Sequence, residues 1–446
     1  MNKKEKFIIK GLAGDKSLAG TVRINGAKNS ALKAMAASVL FAGDVILENI
    51  PNTEDVQTMT DILVDLGAQV SWLDNNPQSK SLKINTDKIN KTDINPNLAT
   101  TMRASVVLTG PMLSRFGRVT FPAPGGCVIG ARPIDLFIEA YKAIGATVKE
   151  ENGLYNIEAE KGFGDGEINF SKITVGGTET LMMCATLGGG KIILKNCAKE
   201  PEIGNVAEWL NLCGAKISGT GTDTIIIEGS GRKLFSPKTN YVAIPDRIEA
   251  GSYLILGALI AKELRIEDCR PDHLGTTIDM LKKSGVDISI EGDSGVGQNK
   301  TIVVRNSADH RKSFGAFNVE TKEYPGFPTD LQPPIVTFLT QSEGESAVVE
   351  NIFEGRFKYT KDLIALGAEI SDIDNKQVLI KGPTPFREPK ESGEFSAHDI
   401  RAGFAIVLAC LLAKGTFTIN NIHLIDRGYE GLETRLRALG ADVMRV

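Results

Sequence analysis

Hydrophobic and polar residues follow one pattern that recurs six times along the chain. A stretch with apolar residues at helical spacing ends in a glycine and is followed by residues of alternating polarity, which predicts a helix and then a strand. The glycines of this phrase are Gly67, Gly145, Gly214, Gly285, Gly367 and Gly440. Successive glycines are 69 to 82 residues apart, so six units account for the whole length. Each glycine is placed to adopt the left-handed conformation that ends a helix.

Each unit also contains an earlier and more apolar helix. Examples are predicted at residues 29–41, 248–261 and 401–414, and a strand such as 45–50 separates the first of them from the second helix. Two further strands follow, so the unit is β-α-β-α-β-β and the fold class is α/β. A period near 75 residues is far longer than that of a solenoid repeat. A few closed domains are therefore expected, but spacing alone leaves open whether two, three or six units form each one.

Composition narrows the class of protein. A length of 446 residues, 42% hydrophobic and 24% charged, is typical of a globular protein with two to four domains. The net charge of -4 gives no overall basic field for nucleic acid or an anionic membrane, so any anion site must be local. The longest apolar stretch, 402–413, is too short to span a bilayer. No secretory leader is indicated, because Lys10 interrupts the N-terminal apolar run.

Cysteine and histidine usage gives no sign of a disulfide framework or a metal site. The six cysteines are scattered without CxxC pairs, and the chain has four histidines. We therefore expect a reducing cytoplasm and no cofactor or metal. Phosphate-loop, dinucleotide, serine-hydrolase and zinc-protease motifs are not present in the sequence.

A glycine- and proline-rich loop, FPAPGGCVIGARP at 121–133, carries Cys127. Its composition excludes a regular helix or a central strand. Cys127 is either a reactive thiol or a small buried cysteine beside a tight turn. Arg132 nearby favours a thiolate or a bound anion.

Several cations are predicted to stand beside helix starts: Lys28, Arg103, Arg247, Arg401 and Arg427. A helix N-terminus offers unpaired N–H groups to an anion, and an adjacent cation adds a full charge, which suits phosphate or carboxylate. Each cation alone is equally explained as a solvated or salt-bridged side chain. Their corresponding places in different repeats favour a function. Among the carboxylates, Asp330 and Asp399 are candidate N-caps, and Asp330 is also a candidate general base.

Ten segments of the chain resemble the UDP-N-acetylglucosamine 1-carboxyvinyltransferases, the enolpyruvyl transferases that open bacterial peptidoglycan synthesis. They are NGAKNSAL, TMRASVVLTGP, PGGCVIGARPIDL, KITVGGTET, PEIGNVAEWL, PDRIEAGSYL, FPTDLQ, FEGRFKY, HDIRAGFAIVLA and HLIDRGYEGLETRLRALGA. The cysteine loop with its ARPxDL run is the most specific of these. The related shikimate-pathway transferase shares the repeated architecture but lacks the loop cysteine.

This resemblance implies the enolpyruvyl transferase fold. The fold consists of two inside-out α/β barrel domains, each of three β-α-β-α-β-β repeats, with helices inside and sheets outside. Residues 28–244 would form the first domain, with the Cys127 loop and the nucleotide-binding residues. Residues 245–446 together with 1–27 would form the second, with Asp330 and Arg427. The active site is expected in the cleft between them.

The resemblance also implies roles for individual residues. Cys127, Asp330, Lys28 and Arg427 match catalytic positions, with Lys28 also a phosphoenolpyruvate ligand and Asp330 beside the sugar 3-hydroxyl. The other substrate-binding positions matched are Asn29, Arg103, Arg132, Pro133, Ile134, Asp135, Leu136, Lys172, Ile173, Thr174, Val175, Ile352 and Arg401. Phe137 departs from the family, in which histidine is expected after ARPxDL, and this bears on nucleotide packing.

The implied reaction is addition followed by elimination, with small-molecule substrates and without nucleic acid, membrane or an obligate protein partner. Asp330 would accept the hydroxyl proton, and Cys127 would protonate the methylene carbon of phosphoenolpyruvate. Two alternatives stay open. One is enolpyruvyl transfer to shikimate 3-phosphate, which needs no Cys127. The other is a silent sugar-nucleotide-binding paralogue, which needs neither the thiol nor the base.

Overall fold

The computed structural model describes residues 5–73, 80–123, 134–292, 297–306, 313–387 and 393–446. These residues form two compact units. The central unit comprises the described residues between 26 and 244, and the terminal unit comprises those of 5–25 and 245–446. The terminal unit thus contains both ends of the chain.

The chain begins in the terminal unit with strands β1 (Phe7–Lys10) and β2 (Leu18–Arg23). The helices of the central unit are α1 (Lys28–Ala37), α2 (Glu54–Leu66), α3 (Pro96–Ala99), α4 (Thr109–Phe116), α5 (Asp135–Ala143), α6 (Val175–Ala185) and α7 (Pro201–Leu212), with 3₁₀ turns at Ser38–Leu40 and Arg103–Leu108. Its strands are β3 (Asp44–Glu48), β4 (Gln69–Trp72), β5 (Leu82–Asn85), β6 (Arg118–Pro122), β7 (Thr147–Glu151), β8 (Leu154–Glu158), β9 (Gly166–Asn169), β10 (Lys191–Lys195), β11 (Lys216–Ser218), β12 (Thr224–Glu228) and β13 (Tyr241–Val242).

The rest of the terminal unit follows the same alternation of helices and strands. Its helices are α8 (Arg247–Ile260), α9 (Gly275–Lys283), α10 (Gln332–Leu339), α11 (Thr360–Ala365), α12 (Ile400–Leu412), α13 (His423–Asp426) and α14 (Leu432–Ala438), with 3₁₀ turns at Pro271–Leu274 and Thr329–Leu331. Its strands are β14 (Ala261–Cys269), β15 (Asp287–Glu291), β16 (Lys300–Arg305), β17 (Phe314–Gly315), β18 (Val319–Glu320), β19 (Ser342–Val349), β20 (Glu369–Asp374), β21 (Gln377–Gly382), β22 (Glu394–Ser396), β23 (Thr416–Asn420) and β24 (Asp442–Arg445).

All the sheets share one topology. A leading strand pairs in parallel with the first strand of the repeat, and the last two strands then add antiparallel, as in β13-β3-β5-β4. The central unit also has β9-β10-β12-β11 and β6-β8-β7, and the latter is extended by a parallel bridge between Asp93 and Thr120. The terminal unit has β2-β14-β16-β15, β17-β19-β21-β20 and β22-β23-β1-β24. The predicted α/β class and repeat are confirmed, although in the described residues these six sheets stay separate and none closes into a barrel.

The sixth repeat is completed by the start of the chain. Strand β1 lies between β23 and β24, with Phe7 opposite Ile419 and Arg445. Strand β2 precedes α1 in sequence but leads the sheet of β14, and β13 precedes α8 but leads the sheet of β3. The two leading strands are therefore exchanged where the chain passes from one unit to the other.

The first helix of each repeat supplies much of the core. In the terminal unit α8, α10 and α12 contact one another, and in the central unit α4 contacts α6. Their residues are almost all buried, as the continuous apolar composition predicts. The predicted helix at 248–261 is observed at Arg247–Ile260, and that at 401–414 at Ile400–Leu412. In the part of the chain described, no helix has the length and apolarity needed to cross a membrane.

The six repeat glycines close helices as predicted. Their φ angles lie between +91° and +110°. A residue with a Cβ pays steric strain in this region, whereas glycine does not. The recurring glycine therefore marks a left-handed backbone conformation that each repeat needs at the end of its second helix.

Candidate active site

Lys28 is the first residue of α1, as its place beside a predicted helix start required. Its Nζ lies 2.8 Å from Oδ2 of Asp55 on α2, and the two side chains are 9% and 5% exposed. The chain reaches this helix start through Gly26, where an added Cβ would stand 1.8 Å from the carbonyl oxygen of Asn49. Close backbone contact at Gly26 and the ion pair with Asp55 together position the ammonium group, and Asn29 follows it on α1.

The N-terminus of α6 carries four of the predicted substrate-binding residues and is a second candidate anion site in the central unit. Thr174 is its N-cap and accepts a hydrogen bond from the N–H of Gly177 at 3.2 Å. Val175 begins the helix, and Lys172 and Ile173 lie in the turn before it. The chain here therefore presents an ordered helix start, which is a suitable place for a phosphate group.

Helix α5 carries other predicted nucleotide-binding residues at its start. Ile134 is buried at the N-cap position, Asp135 is exposed, and Leu136 follows. Phe137 is 5% exposed, and its Cζ lies 3.2 Å from the position of a Cβ on Gly176 in the first turn of α6. The residue that departs from the family therefore packs against the helix of the second anion site.

Four other predicted residues have the following places. Arg103 begins the 3₁₀ turn Arg103–Leu108. Cys127, Arg132 and Pro133 lie outside the described residues, so their roles remain predictions.

A second buried ion pair joins α1 to α6. Lys33 Nζ lies 3.1 Å from Oε2 of Glu179, and Glu179 is 1% exposed. Burial raises the pKa of the Glu179 carboxyl to about 7, against the opposing charge of Lys33, and the nearby Glu202 adds to the rise. Residues 28–29 and 172–175 therefore lie at the starts of two helices that are tied together further along.

In the terminal unit, Asp330 is held between two arginines. Its Oδ1 lies 3.0 Å from Nη2 of Arg356, and its Oδ2 lies 3.3 Å from both Nε and Nη2 of Arg401. The arginine side chains are 1% and 4% exposed, whereas that of Asp330 is 30% exposed. Two guanidinium groups favour the ionised carboxylate, and its partial exposure leaves it accessible.

Helix α12 presents Arg401 to this carboxylate. Asp399 is the N-cap and accepts from the N–H of Arg401 and of Ala402, so its predicted capping role is confirmed. Burial lowers the pKa of Arg401, but the neighbouring Tyr429 and Asp330 outweigh burial and the net shift is upward. Asp330 itself is not an N-cap, because it lies within the turn Thr329–Leu331, whose N-cap position is Pro328.

One predicted helix start is wrong. Arg427 directly follows α13, at its C-terminal end, and α14 begins only at Leu432. Gly431, with φ +56°, occupies the N-cap position of α14. Arg427 therefore cannot combine its charge with the N-terminus of that helix.

Sequence reasoning did not single out three residues that hold the candidate site. They are Asp55, Arg356 and Glu350. Glu350 follows β19, is 1% exposed, and accepts from the N–H of Ile352 at 2.9 Å. Any backbone contact of Ile352 with substrate therefore falls to its carbonyl oxygen. Arg356 and Glu350 lie in or near the segment FEGRFKY, but no spacing rule pointed to their partners.

Comparisons with known proteins show the family of the chain. The family model for EPSP synthase (3-phosphoshikimate 1-carboxyvinyltransferase) matches residues 12–436. A UDP-N-acetylglucosamine 1-carboxyvinyltransferase of Koribacter versatilis is 41% identical over 99% of this chain and 96% of its own. That of Solibacter usitatus is 39% identical over 99% of this chain and 100% of its own.

Solved structures share the fold at lower identity. The enolpyruvyl transferase NikO from Streptomyces tendae has a TM-score of 0.85 at 23% identity, over 99% of both chains. EPSP synthase from Acinetobacter baumannii has a TM-score of 0.71 at 15% identity, over 99% of this chain and 100% of its own. The full-length family match and the relatives near 40% identity lead to one conclusion: the chain belongs to the UDP-N-acetylglucosamine 1-carboxyvinyltransferases, within the wider EPSP synthase family.

Proposed function

We propose that this chain transfers the enolpyruvyl group of phosphoenolpyruvate to the 3-hydroxyl of UDP-N-acetylglucosamine and releases phosphate. The observation that carries the proposal is Asp330, an accessible carboxylate held by two buried arginines. A carboxylate fixed in this way can accept a hydroxyl proton while the guanidinium groups stay close to anionic substrate groups. The relatives near 40% identity support this acceptor over shikimate 3-phosphate.

The reaction proceeds in two steps, addition and then elimination. Asp330 takes the 3-hydroxyl proton as that oxygen bonds to the central carbon of phosphoenolpyruvate, and Cys127 gives a proton to the methylene carbon, which yields a tetrahedral phosphoketal. Phosphate then leaves as the Cys127 thiolate takes one proton from the new methyl group, which restores the double bond, and Asp330 gives its proton to the departing phosphate. The enol ether is now attached to the sugar.

The remaining site residues bind the anionic groups of phosphoenolpyruvate and the sugar nucleotide. Lys28, Arg401 and Arg427 hold the phosphate and carboxylate groups of phosphoenolpyruvate, since cations compensate charge that would repel the base. The sugar nucleotide is bound by Asn29, Arg103, Arg132, Pro133, Ile134, Asp135, Leu136, Lys172, Ile173, Thr174, Val175 and Ile352. The ordered start of α6 supports a diphosphate there.

We infer that the reaction takes place in the cytoplasm, as the first committed step of peptidoglycan synthesis. Cell wall biogenesis, cell shape and cell division would then depend on it. Its partners are the two small-molecule substrates. The absence of an overall basic charge supports local rather than general anion binding.

The direct test is phosphate release from phosphoenolpyruvate with UDP-N-acetylglucosamine, and separately with shikimate 3-phosphate. We expect phosphate release with UDP-N-acetylglucosamine as the acceptor and none with shikimate 3-phosphate. Phosphate release only with shikimate 3-phosphate would establish the related transferase reaction instead. Tight nucleotide binding without phosphate release at any protein concentration would identify a silent binding protein.

A substitution at Cys127 tests the acid. Cys127→Ser is expected to lose most activity and to resist alkylation by the epoxide antibiotic fosfomycin, because a hydroxyl is less acidic and less nucleophilic than a thiol. Mass spectrometry of the treated protein reports the adduct, and phosphate release reports the activity. Unchanged turnover in Cys127→Ser would remove Cys127 from the role of acid.

A further inference from the structure

Glu350 is a buried carboxylate that accepts from four donors. The hydroxyl of Thr321 lies 3.0 Å from Oε1, and that of Thr329 lies 2.9 Å from each carboxylate oxygen. The N–H groups of Ile352 and Phe353 lie 2.9 and 3.1 Å from Oε1. An ionised carboxylate has acceptors and no donor, so this environment fits Glu350 in its charged form.

The hydroxyl of Thr329 connects Glu350 to the candidate base. Nη1 of Arg356 donates to Thr329 Oγ1 at 2.7 Å, and Nη2 of the same guanidinium donates to Asp330 at 3.0 Å. A hydroxyl has one hydrogen, and a guanidinium can only donate. The Thr329 hydrogen must therefore point to an acceptor, and Glu350 is the acceptor within reach. Thr329 then presents a lone pair to Arg356.

The anchoring end of this chain of hydrogen bonds is rigid. Glu350 directly follows β19, and its own N–H donates to the carbonyl oxygen of Lys376 at 2.8 Å. Thr321 donates to Glu350 and accepts from the N–H of Asn351 at 2.9 Å. The end of a sheet strand therefore fixes Glu350, and through it the turn that carries Ile352.

We propose that Glu350 is a positioning residue for the reaction: it sets the direction of the Thr329 hydroxyl, which fixes Arg356 against Asp330. This inference rests on the proposed function and adds to it a residue that does not touch substrate. Arg356 is 2% exposed, and the second contact of its guanidinium is the Thr329 hydroxyl. This contact keeps the guanidinium in the geometry that reaches Asp330. Without Glu350 the hydroxyl can rotate, and the base loses its alignment.

Two threonines on the same carboxylate provide a matched pair of variants. Thr329→Val removes the hydroxyl between Glu350 and Arg356 and keeps the side-chain shape. Thr321→Val removes a hydroxyl that donates to the same Oε1 but, within the described residues, makes no hydrogen bond to Arg356. If Glu350 has only a structural role, the two variants should lower kcat equally. If Glu350 positions Arg356 through Thr329, only Thr329→Val should lower kcat strongly.

The expected effects concern kcat rather than KM. Thr329→Val and Glu350→Gln should each lower kcat about 10- to 100-fold, because a small misplacement of a reacting group has effects of this size. KM for both substrates should change less than about threefold in Thr329→Val, since this variant removes no bond between Glu350 and the turn of Ile352. Thr329→Ser should keep most of the activity, and Thr321→Val should lower kcat much less than Thr329→Val does, because the bond between Thr329 and Arg356 is kept.

A double-mutant cycle completes the test. If Glu350 acts through Thr329, the variant Thr329→Val/Glu350→Gln should be no slower than the slower single variant. Additive losses, or an equal loss of kcat in Thr321→Val, would overturn the inference. Should Glu350→Gln fail to fold, the two threonine variants decide alone. Wild type that releases no phosphate with UDP-N-acetylglucosamine would remove the proposed function and this inference together, whereas an active Thr329→Val would remove only the inference.

Discussion

The central and terminal units hold their candidate charged groups in opposite ways. In the central unit one carboxylate, Asp55, holds one cation, Lys28, and both side chains are nearly buried. In the terminal unit two cations, Arg356 and Arg401, hold one carboxylate, Asp330, which is 30% exposed. The first pair is neutral, and the second group carries a net positive charge.

This difference shows which group is available for chemistry. A carboxylate between two fixed guanidinium groups remains charged and keeps an open side, so it suits proton transfer. Lys28, which is paired with one carboxylate, suits anion binding, because a substrate anion can replace Asp55 as its partner or bind beside it. Substitutions of Asp330 and of Lys28 should therefore affect different kinetic parameters.

The largest effect is expected for Asp330→Asn. Loss of a general base costs about 10²- to 10⁴-fold in rate, so kcat for phosphate release should fall by that amount. Two buried arginines also lose their partner, and the free energy of unfolding should fall by about 3 kcal/mol or more. Circular dichroism during urea titration gives the stability. Asp399→Asn, which keeps an N-cap acceptor, is the control and should retain most of its stability. A normal kcat in a folded Asp330→Asn would end the comparison.

Lys28→Ala should act mainly on phosphoenolpyruvate. We expect KM for that substrate to rise by more than about tenfold, since a charge-assisted contact contributes about 1.5–3 kcal/mol. Asp55 is left buried without its ammonium partner, so Lys28→Ala/Asp55→Ala should recover part of the lost stability but none of the lost affinity. Steady-state kinetics with each substrate varied separates the two. An unchanged KM for phosphoenolpyruvate would remove Lys28 from the anion site.

A smaller effect is expected from Glu179, which contrasts with Glu350. Glu179 forms an ion pair with one ammonium group, whereas Glu350 accepts hydrogen bonds from two hydroxyls and two N–H groups. The pKa of Glu179 is about 7 in the folded protein and near 4.5 when unfolded, so the folded state binds the proton more tightly. Its stability contribution is therefore present at low pH and is lost as the pH rises from about 4.5 to 7.

The measurement is urea unfolding from pH 5 to pH 8 of wild type and Glu179→Gln. Wild type should lose about 2–3 kcal/mol more than the variant over this range, because one pKa unit corresponds to about 1.4 kcal/mol. Glu208→Gln removes an exposed carboxyl on the neighbouring helix α7 and should behave like wild type. Parallel curves for wild type and Glu179→Gln would show that Lys33 compensates the buried charge fully.

Local sequence signals predicted the repeat because each signal has a local cause. Gly67 and its five counterparts need a left-handed backbone, and that need shows as a glycine before a strand. The mostly apolar composition of α8 and α12 reflects burial on all sides. The capping role of Asp399 is also local, because the two N–H groups that donate to its carboxylate lie within three residues.

The partners of the charged groups depend on distant parts of the chain. Asp330 meets Arg401 across 71 residues and Arg356 across 26, and no periodicity in the sequence records such pairs. Arg427 shows that helix starts can also be misjudged from the sequence, since it lies at the end of α13 and α14 begins five residues later at Leu432.

The amino-acid sequence thus determined the six repeats, their α/β class and the residue types available for chemistry, because helix ends and buried faces are encoded within a few residues. Only the tertiary structure decided that Asp330 is shared by two arginines, that Asp55 holds Lys28, and that Glu350 and Thr329 stand behind Arg356. Ion pairs and hydrogen bonds require contact within about 3 Å, and such contacts between distant residues exist only after the sheets and helices have packed.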